Sequence, residues 1–324
     1  MDAAADRFAR FVATLGRGPG RSRALTRAEA REACAMVLAG EAEPVQVGAF
    51  LMLLRYRGED ADEIAGLVEA VRDRAGIGTR PIGADLDWPS YGAGRTRDSP
   101  WFLLAALAVA RAGIAVLMHG SNEFSTGQPV LEALAALGIA PAGGLAEAER
   151  MLAAARFAYL PLRCFSPELD GLLGLRRQLG LRSPMNTAAR LLNPGNAPCG
   201  VDGVFHPPYI EVHLGVAERL GRARLLVLKG GGGEAERNPA KPVLAHLRIG
   251  AGRSQTEFSP LPGARAPEDG ADFAAVWRGG ISPPGVLAVV QATIGMALLA
   301  AGRAEDAREA DQAAAAVWAG RRAE

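Results

Sequence analysis

The spacing of apolar positions divides the chain into two parts. Up to about residue 75, apolar side chains recur every three or four positions and no strand-like run separates the segments, a spacing that is typical of amphipathic helices. Thr26 and Glu29 form a capping-box pattern at the start of one helix, and Gly40 and Gly58 follow the ends of two others. This pattern predicts a small helical domain over residues 1–78.

From about residue 84, short apolar runs alternate with helical stretches and glycine-rich turns. Such alternation is typical of a parallel α/β sheet, in which ligands bind beyond the carboxyl ends of the strands. The predicted fold class is therefore α/β, with the small N-terminal helical domain followed by a larger α/β domain over residues 79–324 that has a mostly parallel central sheet. We expect the helices from about 167–192 to pack on the helical domain.

Composition and charge exclude some functions. The 324 residues are 49% hydrophobic and 22% charged, with a formal net charge of +1, so nucleic-acid binding could not rest on overall charge and would need a local basic patch. Three widely spaced cysteines predict no disulfide framework and indicate a cytoplasmic protein. The start of the chain does not resemble a signal peptide, and charged or glycine residues interrupt the most apolar stretch, so we expect no membrane span.

Two short glycine loops follow predicted strands. The sequence YGAGR, residues 91–95, contains Gly92, Gly94 and Arg95; it lacks the third glycine of a dinucleotide fingerprint and the GK[ST] of a P-loop, so a phosphate loop and a plain turn both remain open. His119 and Gly120 end the next strand. That histidine is either structural or catalytic, and no second histidine or cysteine lies at zinc-ligand spacing.

A third loop and one basic stretch are also candidates. In KGGGGEAERNPAKP, residues 229–242, Lys229 ends a strand, and Glu234 and Glu236 could hold Mg²⁺ on a phosphate substrate; a flexible turn with surface charges is the alternative. Residues 167–194 carry four arginines against two acidic residues. This stretch is either a solvated helix face or a site for phosphate or carboxylate, since the arginine fork suits both.

Segments spread over nearly the whole chain resemble the anthranilate phosphoribosyltransferase family. They are VQVGAFLMLLRYRGEDADEIAGLVEAV, HGSNEFSTGQPVLEALAALGI and LRRQLGLRSPMNTAARLLNP, of which the last is the most specific. The resemblance implies a sheet of the nucleoside phosphorylase and phosphoribosyltransferase type. It also implies transfer of a phosphoribosyl group from phosphoribosyl pyrophosphate to anthranilate with Mg²⁺. Arg176 matches a family arginine near the aromatic acid.

The chain departs from this family where the chemistry takes place. Arg95 stands at a glycine of the pyrophosphate loop, and Ala235 and Glu236 stand at the adjacent Asp-Glu pair that binds metal. A divergent YbiB-like branch, described as binding nucleic acid, resembles the chain at PSYGAGR, VLMHG, LPLRCFSPEL, HPPYI and KGGGGEAERNPAK. That branch implies a homodimer built through the N-terminal helical domains and a basic groove for single-stranded DNA or RNA.

Our main hypothesis is therefore a sequence-independent binder of single-stranded DNA or RNA on a degenerate anthranilate phosphoribosyltransferase scaffold, with no cofactor, metal or catalytic residue. Nucleic-acid or phosphate contacts are predicted at Gly92, Gly94, Arg95, His119, Gly120, Arg176, Arg177, Arg182 and Lys229. The alternative is an active phosphoribosyltransferase using phosphoribosyl pyrophosphate and an aromatic acceptor such as anthranilate. Glu234 and Glu236 would then hold Mg²⁺, and His119 and Glu236 would be the catalytic candidates. A third hypothesis is a regulatory protein that binds a nucleotide without converting it.

Overall fold

A computed structural model describes residues 3–18, 20–92, 99–121, 127–268 and 270–322 of the chain. The first part is helical and contains α1 (Ala3–Gly16), α2 (Arg27–Leu38), α3 (Pro44–Arg57) and α4 (Ala61–Arg74). The remaining elements, in chain order, are β1 (Leu86–Ser90), α5 (Trp101–Arg111), β2 (Val116–Gly120), α6 (Val130–Ala136), α7 (Leu145–Ala155), β3 (Phe157–Pro161), α8 (Pro167–Gly174), α9 (Arg176–Leu179), α10 (Met185–Arg190), β4 (Cys199–Val204), α11 (Tyr209–Arg219), β5 (Arg224–Lys229), β6 (Val243–Ile249), β7 (Gly252–Phe258), α12 (Phe273–Arg278), α13 (Pro284–Ala300) and α14 (Ala307–Gly320). No helix within the described ranges is long and apolar enough to cross a membrane.

Short polar sequences set the starts of α2 and α4. The Thr26 hydroxyl accepts a hydrogen bond from the Glu29 backbone N–H, and the Glu29 carboxylate accepts one from the Thr26 N–H. Asp60 and Glu63 repeat this arrangement at α4. Each box satisfies backbone donors that a helix leaves open at its N-terminus. The capping box predicted at Thr26 and Glu29 is confirmed.

Among the described residues, seven strands form one sheet in the order β3-β2-β1-β4-β5-β6-β7. The strands β1 to β5 pair in parallel, and β6 and β7 are antiparallel. The chain runs outward from β1 to β3 and then returns to the other side of β1 as β4. Open α/β sheets bind ligands at such a switch point, outside the carboxyl ends of the strands. The predicted fold class, a small helical part followed by a mostly parallel α/β part, is confirmed.

Both faces of the parallel part of the sheet are buried. Val116 and Met118 of β2 belong to the core formed with α5, α13 and α14, whereas Leu117 belongs to a second core with side chains from α1 to α4, α7, α8 and α10. Neighbouring residues of a strand point to opposite faces, so β2 contributes to both cores. The helical part of the chain thus covers one face of the sheet.

Packing does not mark a boundary between residues 78 and 79. Leu169 and Leu173 of α8 and Met185 of α10 share one core with α1 to α4 and with β2. Since this core spans both parts of the chain, the division into residues 1–78 and 79–324 stays a prediction. The shared core shows that α8 and α10 pack together with the helical part on the same face of the sheet.

The contact between α2 and α4 generates a test. A Cβ at Gly66 would lie 2.3 Å from the Arg27 carbonyl oxygen and 2.9 Å from Ala30 Cβ. We expect Gly66→Ala to lower the free energy of unfolding by about 1–3 kcal/mol, because the two backbones must separate. Urea denaturation followed by circular dichroism measures the change. Gly171→Ala in α8, where a Cβ meets nothing within 4 Å, is the control and should be as stable as wild type or slightly more so. Wild-type stability in Gly66→Ala would contradict the contact.

Candidate active site

Arg190, the last residue of α10, joins the carboxyl ends of three strands. Its Nη1 donates to the Gly233 carbonyl at 2.8 Å and to the Gly203 carbonyl at 3.4 Å, and its Nη2 donates to the Tyr91 carbonyl at 3.1 Å. Tyr91 follows β1, Gly203 lies in β4 and Gly233 follows β5. A guanidinium has several donors in one plane and keeps its proton, so this single buried side chain satisfies three backbone acceptors.

The loop between β5 and β6, residues 230–242, is folded tightly against β4. A Cβ at Gly203 would lie 2.1 Å from the Glu234 carbonyl, and a Cβ at Gly230 would lie 1.6 Å from the same oxygen. Only glycine permits so close an approach of two backbones. This part of the loop is therefore packed structure and not the flexible turn considered from the sequence.

Glu234 and Glu236 place two carboxylates at this edge of the sheet. Glu234 is 1% exposed, and a Cβ at Gly92 would lie 2.5 Å from its Oε1. Glu236 Oε2 accepts a hydrogen bond of 3.0 Å from the Phe102 N–H in the first turn of α5. Ala235, between them, is buried in the core formed with α5, α13 and α14. The two acidic side chains thus flank a core residue and lie beside the β1 loop and the start of α5.

This carboxylate pair fits one kind of metal site. In the described part of the chain, no group of three or more histidine, cysteine, aspartate or glutamate side chains could hold a metal ion. However, Mg²⁺ that arrives with a phosphate substrate usually binds through one or two carboxylates, and phosphate oxygens and water complete its ligands. Glu234 and Glu236 would suffice for a Mg²⁺ ion of that kind.

A cavity of about 330 Å³ lies between the end of α3 and the carboxyl edge of the sheet. Arg55 at the end of α3 lines it from the helical side, and Arg176, Arg182 and Arg190 line it from the segment that leads to β4. Among the described lining residues, Glu59 is the single carboxylate. The cavity therefore carries an excess of positive charge and suits an anionic ligand.

The excess of positive charge in the cavity affects the pKa of Arg182. Burial, and then the charges of Arg176, Arg190 and Arg55, lower the pKa of Arg182 to about 10. Within the ranges that the structure describes, Arg182 makes no hydrogen bond or ion pair. A carboxylate or phosphate beside it would relieve the repulsion between the arginines and would match the geometry of the guanidinium.

A hydrogen-bonded group connects the helical part with α11 across the cavity. The Tyr209 hydroxyl donates to Glu59 Oε1 at 2.9 Å and accepts a hydrogen bond from Arg55. Burial raises the pKa of Glu59, and burial followed by the Glu59 charge raises the pKa of Tyr209 to about 12. These hydrogen bonds connect the end of α3 with the start of α11.

Apolar side chains form the mouth of the cavity. Leu181 is 58% exposed and Phe205 is 47% exposed, and both line the cavity. The His206 ring contacts the Phe205 ring edge to face, with centroids 4.8 Å apart. An apolar mouth above a set of arginines suits a ligand with a flat aromatic body and an acidic group.

His119 lies beneath the cavity and not in its wall. The side chain is 0% exposed; its Nδ1 is 2.9 Å from the Tyr91 hydroxyl and its Nε2 is 3.3 Å from Asp87 Oδ1. Asp87 Oδ2 accepts a hydrogen bond of 2.6 Å from Arg222. Burial alone would raise the pKa of Asp87, but the Arg222 and His119 charges outweigh it and the pKa lies below its usual value. This buried chain supports Tyr91, and the phosphate contact and the catalytic role considered for His119 stay predictions.

The other predicted contacts are divided between the cavity and the surface. Arg176 and Arg182 line the cavity. Arg177 is exposed in α9, and Lys229 is exposed at the end of β5. Neither of these two side chains belongs to the cavity wall. The basic stretch is thus neither a uniform solvated face nor a continuous groove.

The predicted glycine positions are explained mainly by packing. A Cβ at Gly120 would lie 1.8 Å from the Ser90 carbonyl oxygen, and Gly92 lies against Glu234 as described above. Gly94 and Arg95 lie outside the described residues, so the phosphate contacts predicted for them stay predictions.

Several lining residues were not predicted from the sequence. They are Arg55, Glu59, Tyr209 and His213. Arg55, Tyr209 and His213 belong to helices, and Glu59 lies in the turn between α3 and α4. The one available signal was position, because Arg55 and Glu59 flank the Gly58 turn that follows α3.

Comparisons with known proteins agree over most of the chain. The helical bundle domain of a glycosyl transferase family matches residues 10–75, and the a/b domain of a glycosyl transferase family matches residues 102–321. The anthranilate phosphoribosyltransferase of Moorella thermoacetica is 34% identical over 302 residues, which is 88% of this chain and 87% of that protein. The crystal structure of anthranilate phosphoribosyltransferase from Thermus thermophilus is similar with a TM-score of 0.73 and 26% identity, covering 99% of this chain and 95% of that one.

A more distant structure shows the same fold. It is anthranilate phosphoribosyltransferase from Saccharomyces cerevisiae in complex with phosphoribosyl pyrophosphate and Mg. Its TM-score is 0.74 at 15% identity, and it covers 98% of this chain and 94% of that one. At this identity the likeness concerns the fold alone.

The contacts of Arg190 lead to a prediction on stability. We expect Arg190→Met to lower the free energy of unfolding by about 3 kcal/mol, because three carbonyls at the strand ends lose their donor. Urea denaturation measures the loss. Arg17→Met is the control and should change stability by less than about 0.5 kcal/mol, since Arg17 is exposed in the loop after α1. Equal effects of the two substitutions would argue against a special role for Arg190.

Proposed function

The chain belongs to the glycosyl transferase family that includes the anthranilate phosphoribosyltransferases, and from this premise we propose that it is a phosphoribosyltransferase. The donor would be phosphoribosyl pyrophosphate, and the acceptor would be the amine of an aromatic acid such as anthranilate. One observation carries the proposal: the arginine-lined cavity with an apolar mouth at the carboxyl edge of the sheet. In such a cavity, arginines can bind the carboxylate of an aromatic acid and apolar side chains can contact its ring.

In the proposed complex, Arg182 and Arg176 bind the acceptor carboxylate. Arg182 is the better candidate for a direct ion pair, because neighbouring arginines surround it and a bound anion would offset their charges. Phe205 and Leu181 at the mouth would contact the ring. Held in this way, the acceptor amine would point inward, toward the carboxyl ends of the strands where the donor would lie.

Glu234 and Glu236 are the candidates to hold Mg²⁺ with the donor. When bound, the ion would neutralise charge on the pyrophosphate leaving group. The sequence comparison assigns one position of the family's acidic pair to Ala235, which suggested that the metal site was lost. In the fold, Ala235 is a core residue and the acidic residues on either side of it lie at the edge. The loop therefore carries two carboxylates beside the proposed donor site.

The hypothesis of a nucleic-acid-binding protein is wrong. The relative that covers most of this chain at 34% identity is an anthranilate phosphoribosyltransferase, and none of the comparisons reported above supports the YbiB-like branch. The physical reason is the placement of the predicted basic contacts, because Arg176 and Arg182 line the cavity whereas Arg177 and Lys229 are exposed outside its wall. DNA or RNA is therefore not the partner.

The homodimer is not tested by a single chain, and the cytoplasmic location stays a prediction.

The proposed reaction leads to a direct assay. We expect the protein to release pyrophosphate from phosphoribosyl pyrophosphate in the presence of anthranilate and Mg²⁺, and not with EDTA. Glu236→Gln should lower kcat by about 100-fold, because the leaving-group charge loses part of its stabilisation. Glu257→Gln on the edge strand β7 is the control and should keep wild-type activity. No release with anthranilate or any related aromatic amine would contradict the proposal and would favour a protein that binds a nucleotide without converting it.

A second prediction concerns the acceptor. Arg182→Met should raise the KM for anthranilate by about 10- to 100-fold, because a charged hydrogen bond contributes about 1.5–3 kcal/mol. The KM for phosphoribosyl pyrophosphate should change little. Arg177→Met is the matched control from the same basic stretch, and its KM values should equal those of wild type because Arg177 does not line the cavity. Equal KM changes in both variants would place the acceptor elsewhere.

A further inference from the structure

A histidine paired with a carboxylate lies in the wall of the cavity, apart from the arginines. His213 is in α11 and Asp202 is in β4. His213 Nδ1 is 2.8 Å from Asp202 Oδ2, and both side chains are almost fully buried. His213 lines the cavity. Nothing in the sequence pattern drew attention to this pair, because the two residues are eleven positions apart in different elements.

The chemistry of the pair determines the state of the ring. An ionised carboxylate only accepts hydrogen bonds, so a neutral imidazole must carry its proton on Nδ1 to bond with Asp202. Nε2 then has a free lone pair. In the described part of the chain no hydrogen-bonding partner contacts Nε2, and the cavity is the open space next to the ring. Asp202 thus orients His213 with its basic nitrogen toward the ligand site.

We propose that His213, oriented by Asp202, is the general base that removes the proton from the acceptor amine. This inference rests on the proposed phosphoribosyl transfer. In the step, the amine nitrogen forms a bond to C1 of the ribose, and the bond from C1 to the pyrophosphate oxygen breaks with its electron pair leaving on pyrophosphate. One N–H proton passes to His213 Nε2. The resulting imidazolium is stabilised by Asp202 and later releases its proton to water.

Other titratable groups near the cavity are less suited to this task. His119 is enclosed between Tyr91 and Asp87. Glu59 Oε1 already accepts a hydrogen bond from the Tyr209 hydroxyl, and the arginines keep their protons. Several charged or titratable groups share the cavity with His213 or contact it, and a pH study must take them into account. They are Arg55, Glu59, Arg176, Arg182, Arg190, Asp202, His206 and Tyr209.

The kinetic test uses His213→Asn. The asparagine amide can still donate to Asp202, which would otherwise be left as an unpaired buried carboxylate, but it has no counterpart of Nε2. We expect kcat to fall by about 100-fold with an unchanged KM for phosphoribosyl pyrophosphate, because general-base catalysis contributes about 10²–10⁴-fold. The shape of the pH profile of kcat/KM should also change, because the group that accepts the proton is missing. If His213 only supported the fold, its substitution would leave the shape of the pH profile unchanged. It would also not lower kcat while the KM for phosphoribosyl pyrophosphate stayed the same.

The control is His246→Asn. His246 lies in β6, where its Nδ1 contacts Gln255 on β7, and it does not line the cavity. The turnover rate and the pH profile of the His246→Asn variant should match those of the wild-type protein. Wild-type turnover retained in His213→Asn would overturn the base assignment alone. Absence of turnover in the wild-type protein would overturn the proposed function together with it.

A second measurement does not depend on turnover. The chain has four histidines, so ¹⁵N-histidine labelling gives four imidazoles, and His213→Asn assigns one of them by its absence. We expect His213 to show the Nδ1–H form, and its Nε2 resonance should shift when anthranilate is added to the full-length protein. An Nε2–H form, or no shift at saturating anthranilate, would overturn the inference even if the enzyme is active.

Discussion

The site depends on one buried cation, Arg190. Its guanidinium bonds to the carbonyls of Tyr91, Gly203 and Gly233, which belong to the ends of β1, β4 and β5. Strand-end loops have few ladder partners, and their buried carbonyls would each lose free energy without a donor. One side chain from α10 supplies all three bonds. The relative positions of the three loops, and hence the floor of the cavity, are therefore tied to the helix that also packs on the helical part.

The balance of charge differs between the cavity and the buried residues around it. Below the cavity, Asp87 is paired with Arg222 and His119, and at the cavity wall Asp202 is paired with His213, so both buried carboxylates have partners. Within the cavity the balance is reversed, because four arginines face a single described carboxylate. Placing like charges together costs free energy unless an anion accompanies them. The fold thus maintains a charge imbalance at the place where an acidic ligand would bind.

The loop after β5 shows that close packing can change how a stretch of sequence is interpreted. Its glycines permit contact between backbones, and the alternation of Glu234, Ala235 and Glu236 sends the middle side chain into the core. Read position by position, the alanine indicates a lost metal ligand. Read in the fold, it separates two carboxylates that lie at the edge of the sheet. The nucleic-acid hypothesis failed at this loop and at Arg182, whose direction into the cavity has no signal in a linear pattern.

Local periodicity determined the elements and the fold class. Helical spacing with capping boxes at Thr26 and Glu29, and strands alternating with helices, specify the class because each signal arises within a few residues of chain. The resemblance of short segments also indicated the family. Tertiary structure decided the site, since Arg55 and Glu59, which flank the end of α3, meet Arg182 and His213 only when the helical part covers the sheet. Whether a polar residue faces solvent, a core or a ligand depends on partners distant in sequence, and those partners are fixed by folding alone.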